Sequence, residues 1–189
     1  MRNRILCLDV DNTLGDYTSG LRDYVNACTP RYACPDPMAY DFTLTPGWPF
    51  TGSLRNFLWW HKRAVASGLY RREPPYPHAA DTLNRLHDDG WRIIISTARR
   101  DDPDGQTARW LRNNGIPFDG LHYGDKLDIR FDALIDDKPA TLERAARDTD
   151  AIILHPDHAY CRNAPGLTFH DWNEIPGLIG TADNPDSLQ

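Results

Sequence analysis

Four short apolar runs, each continuous rather than alternating with polar residues, constrain the fold of this chain more than any other feature. The runs are residues 5–8, 93–95, 133–135 and 151–154. Strands that are buried on both faces have this pattern, which is typical of a parallel sheet between two layers of helices. Segments with helical periodicity lie between the later runs. The sequence therefore predicts a three-layer α/β domain with right-handed crossovers.

The stretch from residue 15 to residue 76 is much longer than a single crossover requires, which predicts an inserted unit. Ser53 and Gly68 bound a predicted helix at residues 54–67. Seven of the 21 residues from 40 to 60 are aromatic, which indicates a small core of the insertion's own, with some side chains left to face a ligand. We predict a core at residues 1–14 and 77–180, a helical cap at 15–76 and a disordered tail at 181–189.

Composition and charge exclude several classes of protein. The formal charge of −6 argues against a protein that coats duplex nucleic acid through a basic face. No apolar run approaches the roughly 20 residues of a membrane-spanning helix, and the N-terminus lacks the apolar region of a signal peptide. The four cysteines form no CxxC pair, which argues against a zinc site or a disulfide framework. These features predict a cytoplasmic protein without membrane contact.

Polar side chains follow three of the apolar runs, at the edge where open α/β sheets bind their ligands. The clusters are Asp9, Asp11 and Thr13 after the first run, Thr97, Ala98 and Arg99 after the second, and Asp136 and Asp137 after the third. Carboxylates two residues apart after a strand point to the same side, and they repel each other unless a divalent cation and a phosphate-like ligand accompany them. Lys126 offers a positive charge shortly before the third cluster. The set predicts a site for a phosphorylated ligand and a cation.

Each cluster alone has an alternative interpretation. Asp9 and Asp11 are spaced as in a calcium-binding loop, but Leu14 occupies the position of that loop's required glycine. Asp136 and Asp137 suit the N-terminus of a helix, where negative charge is favourable. The order of the clusters along the chain favours one catalytic site instead.

As an ordered set, these residues resemble the four motifs of the haloacid dehalogenase superfamily of phosphohydrolases, over roughly residues 4–155. The resemblance implies a Rossmann-like core with a helical cap inserted after the first motif. It implies that Asp9 is the nucleophile and that Asp11 is the general acid and later the general base. Thr97 would bind the transferring phosphate, and Lys126 would hold nucleophile and phosphate together.

The same resemblance implies a Mg²⁺ cofactor. Its ligands would be the Asp9 side chain, the Asp11 main-chain carbonyl and the pair Asp136 and Asp137, of which Asp137 is favoured as the direct ligand. Oxygen donors that leave room for substrate phosphate and water suit Mg²⁺ better than calcium or zinc. A cation and fixed donors would also offset the repulsion between an attacking carboxylate and a phosphate.

Within the superfamily the chain most resembles the 5′(3′)-deoxyribonucleotidases. The resemblance rests on the Asp-Val-Asp-Asn-Thr-Leu opening at residues 9–14, the proline-rich run at 70–78, Gly124-Asp125-Lys126 ahead of the paired aspartates, and Trp172 before a short terminal helix. It implies hydrolysis of a small phosphorylated substrate, a (deoxy)nucleoside monophosphate, through an aspartyl-phosphate intermediate.

The resemblance also implies which residues bind the substrate. Cap aromatics stack on the nucleobase in that family, so Phe57, Trp59 and Trp60 are the predicted base-binding residues. Stacking of this kind contributes about 1–3 kcal/mol per base and tolerates different bases. Thr13, Ala98 and Arg99 complete the predicted substrate-binding set.

Two other functions are compatible with parts of the sequence. Thr97-Ala98-Arg99 resembles the phosphatase domain of polynucleotide kinase-phosphatases, which remove phosphate from nucleic-acid 3′ ends, and the predicted helix beside it adds Arg100, Arg109 and Arg112. Those arginines also suit an ordinary solvated helix face. A catalytically inactive binding protein is disfavoured because every motif residue is present. The sequence predicts no particular oligomeric state.

Overall fold

A computed structural model of the chain describes residues 4–99, 102 and 105–183. The sheet strands are β1 (Arg4–Leu8), β2 (Trp91–Thr97), β3 (Gly120–Tyr123), β4 (Ala133–Ile135), β5 (Ile152–Pro156) and β6 (Leu167–Phe169). They form one six-stranded sheet in the order β3-β2-β1-β4-β5-β6. All five neighbouring pairs are parallel. The central position of β1 places the residues that follow it in the middle of the sheet edge.

Seven helices accompany the sheet in the described part of the chain. They are α1 (Tyr17–Cys28), α2 (Leu54–Ala66), α3 (Leu69–Arg72), α4 (Ala79–Asp88), α5 (Gln106–Asn113), α6 (Pro139–Asp148) and α7 (Ile175–Asp183). On one face of the sheet, α4, α5 and α7 pack against Leu6 and Leu8. On the other face, α6 packs against Cys7. Successive residues of β1 therefore bury opposite faces, which explains the continuous apolar run and confirms the predicted three-layer α/β fold.

The edge strands were not predicted from the sequence. β3 is half-exposed along its length, and only Phe169 of β6 is buried. Because one side of an edge strand lacks a neighbour and the faces are incompletely covered, neither segment needs the continuous apolar run that marks a central strand.

The segment predicted to be a cap has a hydrophobic core of its own. Its buried members lie between Tyr17 and Tyr70 and come from α1, α2, α3 and the loop before α2. Aromatic rings fill much of it, since Phe42, Trp48 and Phe50 are buried. The predicted helix at 54–67 is present as α2, with the Ser53 hydroxyl accepting the backbone N–H of residue 56.

The chain leaves the core and returns to it along two adjacent paths. Pro74 accepts a backbone hydrogen bond from Asp16 at 2.8 Å, and Leu14 accepts one from Tyr76 at 2.9 Å. The two connections between core and cap therefore lie side by side, close to the first motif.

At the C-terminus, α7 continues through Asp183, so residues 181–183 are helical although the sequence predicts a disordered tail from 181. The helix extends four residues past the buried Ile179. Residues 184–189 lie outside the described residues. Among the helices of the described chain, none combines the length and apolarity needed to cross a membrane.

Candidate active site

A cavity of about 600 Å³ lies between the carboxyl ends of the central strands and the cap. Its volume is in the range of small-molecule binding sites. The core side contributes Asp9, Asp11, Ala98, Arg99, Lys126, Asp136, Asp137 and Lys138, and the cap side contributes Tyr17, Tyr40, Phe42, Leu54, Phe57, His61 and Tyr70. The cavity thus has a charged floor and a largely aromatic roof.

The position of the floor follows from the strand register. Leu8 is level with Ile135 in the parallel pairing of β1 and β4, so the next residues, Asp9 and Asp136, leave the sheet side by side. Lys126 joins them: its Nζ lies 2.8 Å from Asp9 Oδ1 and 3.2 Å from Asp136 Oδ2. The second oxygen of Asp136 accepts the backbone N–H of Lys138 at 2.9 Å.

Asp9, Asp136 and Asp137 form a buried acidic cluster. One carboxylate oxygen from each lies within 4.8 Å of the others. Burial raises the pKa of Asp9 to about 6, with Lys126 acting against the shift and the neighbouring carboxylates adding to it. Burial also raises the pKa of Asp137 well above its usual value. Three buried carboxylates facing one lysine make a donor set of hard oxygens that suits a divalent cation.

Tyr160 fixes the third member of this cluster. Its hydroxyl donates to Asp137 Oδ2 at 2.7 Å, whereas Oδ1 of Asp137 receives no hydrogen bond from the described residues. Asp136 differs, because its Oδ1 accepts the N–H of Lys138, whereas its buried Oδ2 accepts no hydrogen bond within the described chain and lies 3.2 Å from the ammonium of Lys126. Both adjacent aspartates therefore have an oxygen that accepts no hydrogen bond from the described residues, and only the one on Asp137 has no ammonium beside it.

Asp11 lies beside this cluster and is bound by Arg99. Nε of Arg99 lies 3.1 Å from each Asp11 oxygen, and Nη2 lies 2.6 Å from Oδ1. Nη2 also pairs with Glu73 Oε1, and Nη1 donates to the Thr107 hydroxyl at 3.3 Å. The Arg99 side chain is fully buried, whereas 30% of the Asp11 side chain is exposed. Arg99 is predicted from the sequence to bind substrate, but in the structure its Nε, Nη1 and Nη2 all bind protein side chains.

Glu73 was missed by the sequence reasoning. Its side chain is fully buried, and burial raises its pKa, while the charge of Arg99 acts against that shift. A single glutamate within a proline-rich run gives no periodic or motif signal that predicts burial.

Two of the predicted site residues on the core, Thr97 and Thr13, do not line the cavity. Thr97 is fully buried, and its hydroxyl accepts the backbone N–H of Arg99 at 3.3 Å, so it shapes the turn after β2. Thr13 is also fully buried and instead lines a second cavity of about 290 Å³ beside Tyr76 and Trp172. The turn that follows β1, with Asn12 at φ +56°, carries Thr13 away from the floor. Ala98 lines the cavity as predicted.

Of the three predicted base-binding aromatics, the structure brings only Phe57 to the cavity. Trp59 is 52% exposed and lies under the Arg63 guanidinium at 4.7 Å. Trp60 packs edge-on against Tyr24. On a helix with 3.6 residues per turn, position 59 points away from position 57, which explains why Trp59 lies outside the cavity.

His61, one helical turn after Phe57, lines the cavity, whereas the two tryptophans predicted to do so do not. The Tyr17 hydroxyl lies 2.8 Å from its Nδ1, and the Tyr70 hydroxyl lies 3.3 Å from its Nε2. The Phe57 ring is stacked on the imidazole at 5.9 Å. The i, i+4 spacing of Phe57 and His61 is visible in the sequence, but α1, which supplies Tyr17, was not predicted.

The predicted arginine cluster does not assemble at the cavity. Arg109 and Arg112 are exposed on α5, which buries Trp110 and Leu111 against the sheet instead. Arg100 lies outside the described residues. With Arg99 already paired, the described chain presents no row of free arginines leading to the site.

Comparisons with known proteins give a consistent result. The model of the family described as "5′ nucleotidase, deoxy (Pyrimidine), cytosolic type C protein" matches residues 3–184. Two curated relatives carry the name "Putative nucleotidase". The one from Bacillus cereus is 31% identical over 123 residues, and the one from Oceanobacillus iheyensis is 32% identical over 113. The aligned segments cover 56% and 54% of this chain and 60% of each relative.

Solved structures resemble the whole chain. A haloacid dehalogenase-like hydrolase from Streptococcus pneumoniae superposes with a TM-score of 0.63 at 15% identity, covering 93% of this chain and 97% of its own. A haloacid dehalogenase-superfamily hydrolase from Geobacter sulfurreducens gives a TM-score of 0.60 at 11% identity, covering 94% and 97%. At these identities the likeness concerns the fold.

Proposed function

The chain belongs to the deoxy (pyrimidine) cytosolic type C 5′-nucleotidase family, and from this premise we propose that it is a Mg²⁺-dependent phosphatase of (deoxy)nucleoside monophosphates. The observation that carries the proposal is the group of Asp9, Lys126, Asp136 and Asp137 at the floor of the cavity, with one lysine shared by two buried carboxylates. The chain spans 60% of the length of its curated relatives.

Asp9 is the nucleophile in this proposal. Lys126 binds Oδ1 of Asp9, which leaves Oδ2 to attack the phosphorus. A bond forms between Oδ2 and phosphorus while the bond from phosphorus to the leaving oxygen breaks, and Asp11, which must enter this step protonated, gives its proton to that oxygen. Asp11 then takes a proton from water, the water oxygen bonds to phosphorus, and the bond to Asp9 breaks to release phosphate.

The donor set fits Mg²⁺. Asp9 and Asp137 would hold the ion with their side chains and Asp11 with its main-chain carbonyl, while Asp136 supplies a further buried oxygen, Oδ2, that accepts no hydrogen bond from the described part of the chain and faces Lys126. When bound, Mg²⁺ offsets the negative charge that gathers on the phosphate and the carboxylates. Asp136 orients Lys126, which carries the only positive charge in contact with Asp9 among the described residues. The carboxylates of Asp9 and Asp136 raise the pKa of Lys126, although burial lowers it, and so keep the amine charged.

The cap gives the reason to favour mononucleotides. Phe57 supplies a ring surface over the charged floor, beside the buried rings of Tyr17 and Tyr70, at a place where a nucleobase can stack while its phosphate lies near Asp9. A 3′-phosphatase for nucleic-acid ends gains no support, since the arginines of α5 do not line the cavity.

The experiment is phosphate release with Mg²⁺ from 5′- and 3′-mononucleotides and from a 3′-phosphorylated oligonucleotide. We expect release from mononucleotides and none from Asp9→Asn. Asp36→Asn, which removes an exposed cap carboxylate paired with Arg22, is the matched control and should retain full activity. Preference for the oligonucleotide, or turnover by Asp9→Asn, would refute the proposal.

A further inference from the structure

Glu73 is a buried carboxylate whose Oε1 pairs with Arg99, while its Oε2 accepts no hydrogen bond from the described residues. It lies where the cap returns to the core, and the indole N–H of Trp110 donates to its main-chain carbonyl at 2.9 Å. A Cβ on Gly15 would lie 2.8 Å from Glu73 Oε1. Gly15, on the outgoing connection, therefore leaves room that the glutamate side chain fills.

Arg99 connects Glu73 to Asp11. A buried guanidinium has a planar fork of donors, and here Nη2 is shared between the two carboxylates while Nε holds both oxygens of Asp11. The Tyr70 ring lies 4.0 Å from the guanidinium carbon and covers one face of it. From the interior to the cavity, the order is Glu73, Arg99, Asp11, and only Asp11 is partly exposed.

This arrangement fixes where the Asp11 carboxylate points. Asp11 stands at the end of a turn and has no hydrogen-bonding side-chain partner other than Arg99 among the described residues. Arg99 is long and flexible, and Glu73 and Thr107 hold the far side of its guanidinium. Without Glu73, the guanidinium would keep its charge but lose one of the contacts that set its plane.

We propose that Glu73 is a positioning residue that acts through Arg99 to aim Asp11 at the leaving-group oxygen. This inference rests on the proposed function, in which Asp11 protonates that oxygen. A residue that aims the acid matters most when the leaving group needs a proton, and least when the leaving group departs easily as an anion. Simple damage to the fold would reduce both reactions alike.

The test compares two substrates of nearly the same shape, phenyl phosphate and 4-nitrophenyl phosphate, of which phenolate is the poorer leaving group. The ratio kcat/KM covers the steps up to leaving-group departure. We expect Glu73→Gln to lower kcat/KM for phenyl phosphate about tenfold more than for 4-nitrophenyl phosphate, a part of the 10²–10⁴ that general acid catalysis supplies. Asp36→Asn should change neither.

Arg99→Lys is a second variant for the same test, because lysine keeps the positive charge but cannot bridge both carboxylates. This variant should show the same selective loss of kcat/KM for phenyl phosphate, even if Glu73→Gln folds poorly. The double variant should lose no more than Arg99→Lys alone, since the two residues act as one unit. Equal losses on both substrates, or no loss on either, would overturn the inference. A wild-type protein inert toward every phosphate ester would overturn the proposed function and this inference with it.

Discussion

The phenol oxygen of Tyr160 lies 2.7 Å from Oδ2 of Asp137, so the turn after β5 holds one of the three clustered carboxylates in place. This hydrogen bond lowers the pKa of Asp137 against the larger effect of burial, which raises it. A partner of this kind orients a metal-binding oxygen and favours its ionised form.

Tyr160→Phe should therefore weaken Mg²⁺ binding by about tenfold or more, the effect typical of removing a group that orients a metal ligand. Calorimetric titration of the protein with Mg²⁺ measures it directly. Tyr123→Phe removes another tyrosine hydroxyl donated to an aspartate, Asp102, at 2.6 Å, and should leave the affinity unchanged. Equal Mg²⁺ affinities in wild type and Tyr160→Phe would show that the hydrogen bond to Asp137 Oδ2 does not contribute to the cation site.

The acidic cluster predicts a dependence of stability on pH. The folded-state pKa of Asp9, about 6, lies above its usual value of 3.8, so the metal-free folded state binds more protons than the unfolded chain between these values. The free energy of unfolding should therefore fall as pH rises through this window. Mg²⁺ competes with those protons, so the increase in Tm on adding excess Mg²⁺ should be larger above the window than below it.

Asp137→Asn supplies the control for that experiment. It removes one of the three clustered carboxyl groups, so the increase in Tm with Mg²⁺ should largely disappear. Stabilisation by Mg²⁺ that is equal at both pH values, or that survives in Asp137→Asn, would place the cation elsewhere.

Phe57 and Trp59 provide a matched pair for base recognition. Phe57 lines the cavity, whereas Trp59 is half-exposed on the other side of α2. Phe57→Ala should raise KM for a nucleoside monophosphate about tenfold, because about 1–3 kcal/mol of stacking is lost, and should leave a small alkyl phosphate unaffected. Trp59→Ala should behave as wild type. A larger effect of Trp59→Ala would restore the sequence-based assignment.

The chemical floor of the site was predictable because it depends on buried parallel strands. Their apolar runs are continuous, and the residues that follow them must meet at one edge, so Asp9, Asp11, Lys126, Asp136 and Asp137 were found from the sequence. The resemblance to the deoxyribonucleotidases is confirmed by the family match over residues 3–184. The catalytic roles of these residues stay predictions.

The roof and the support of the site were less predictable. The rotation of α2 relative to the core decides which cap aromatic faces the cavity. In the structure Phe57 lines the cavity and Trp59 is exposed outside it. The burial of Glu73 depends on its pairing with Arg99, which is 26 residues away in the sequence. Neither fact has a local signal, because each is decided by tertiary packing.

The Arg99 pairing also predicts an asymmetry in stability. Arg99→Ala leaves the buried Glu73 carboxylate without its cation, which should cost about 3–5 kcal/mol of unfolding free energy, measured by urea denaturation. Arg144→Ala, which breaks the exposed pair with Asp125, should cost less than about 1 kcal/mol. The double variant Arg99→Ala with Glu73→Gln should regain part of the loss, because no unpaired buried charge then remains. If Arg99→Ala costs no more than Arg144→Ala, or if the added Glu73→Gln lowers stability further, Glu73 is not held in the interior as a carboxylate by Arg99.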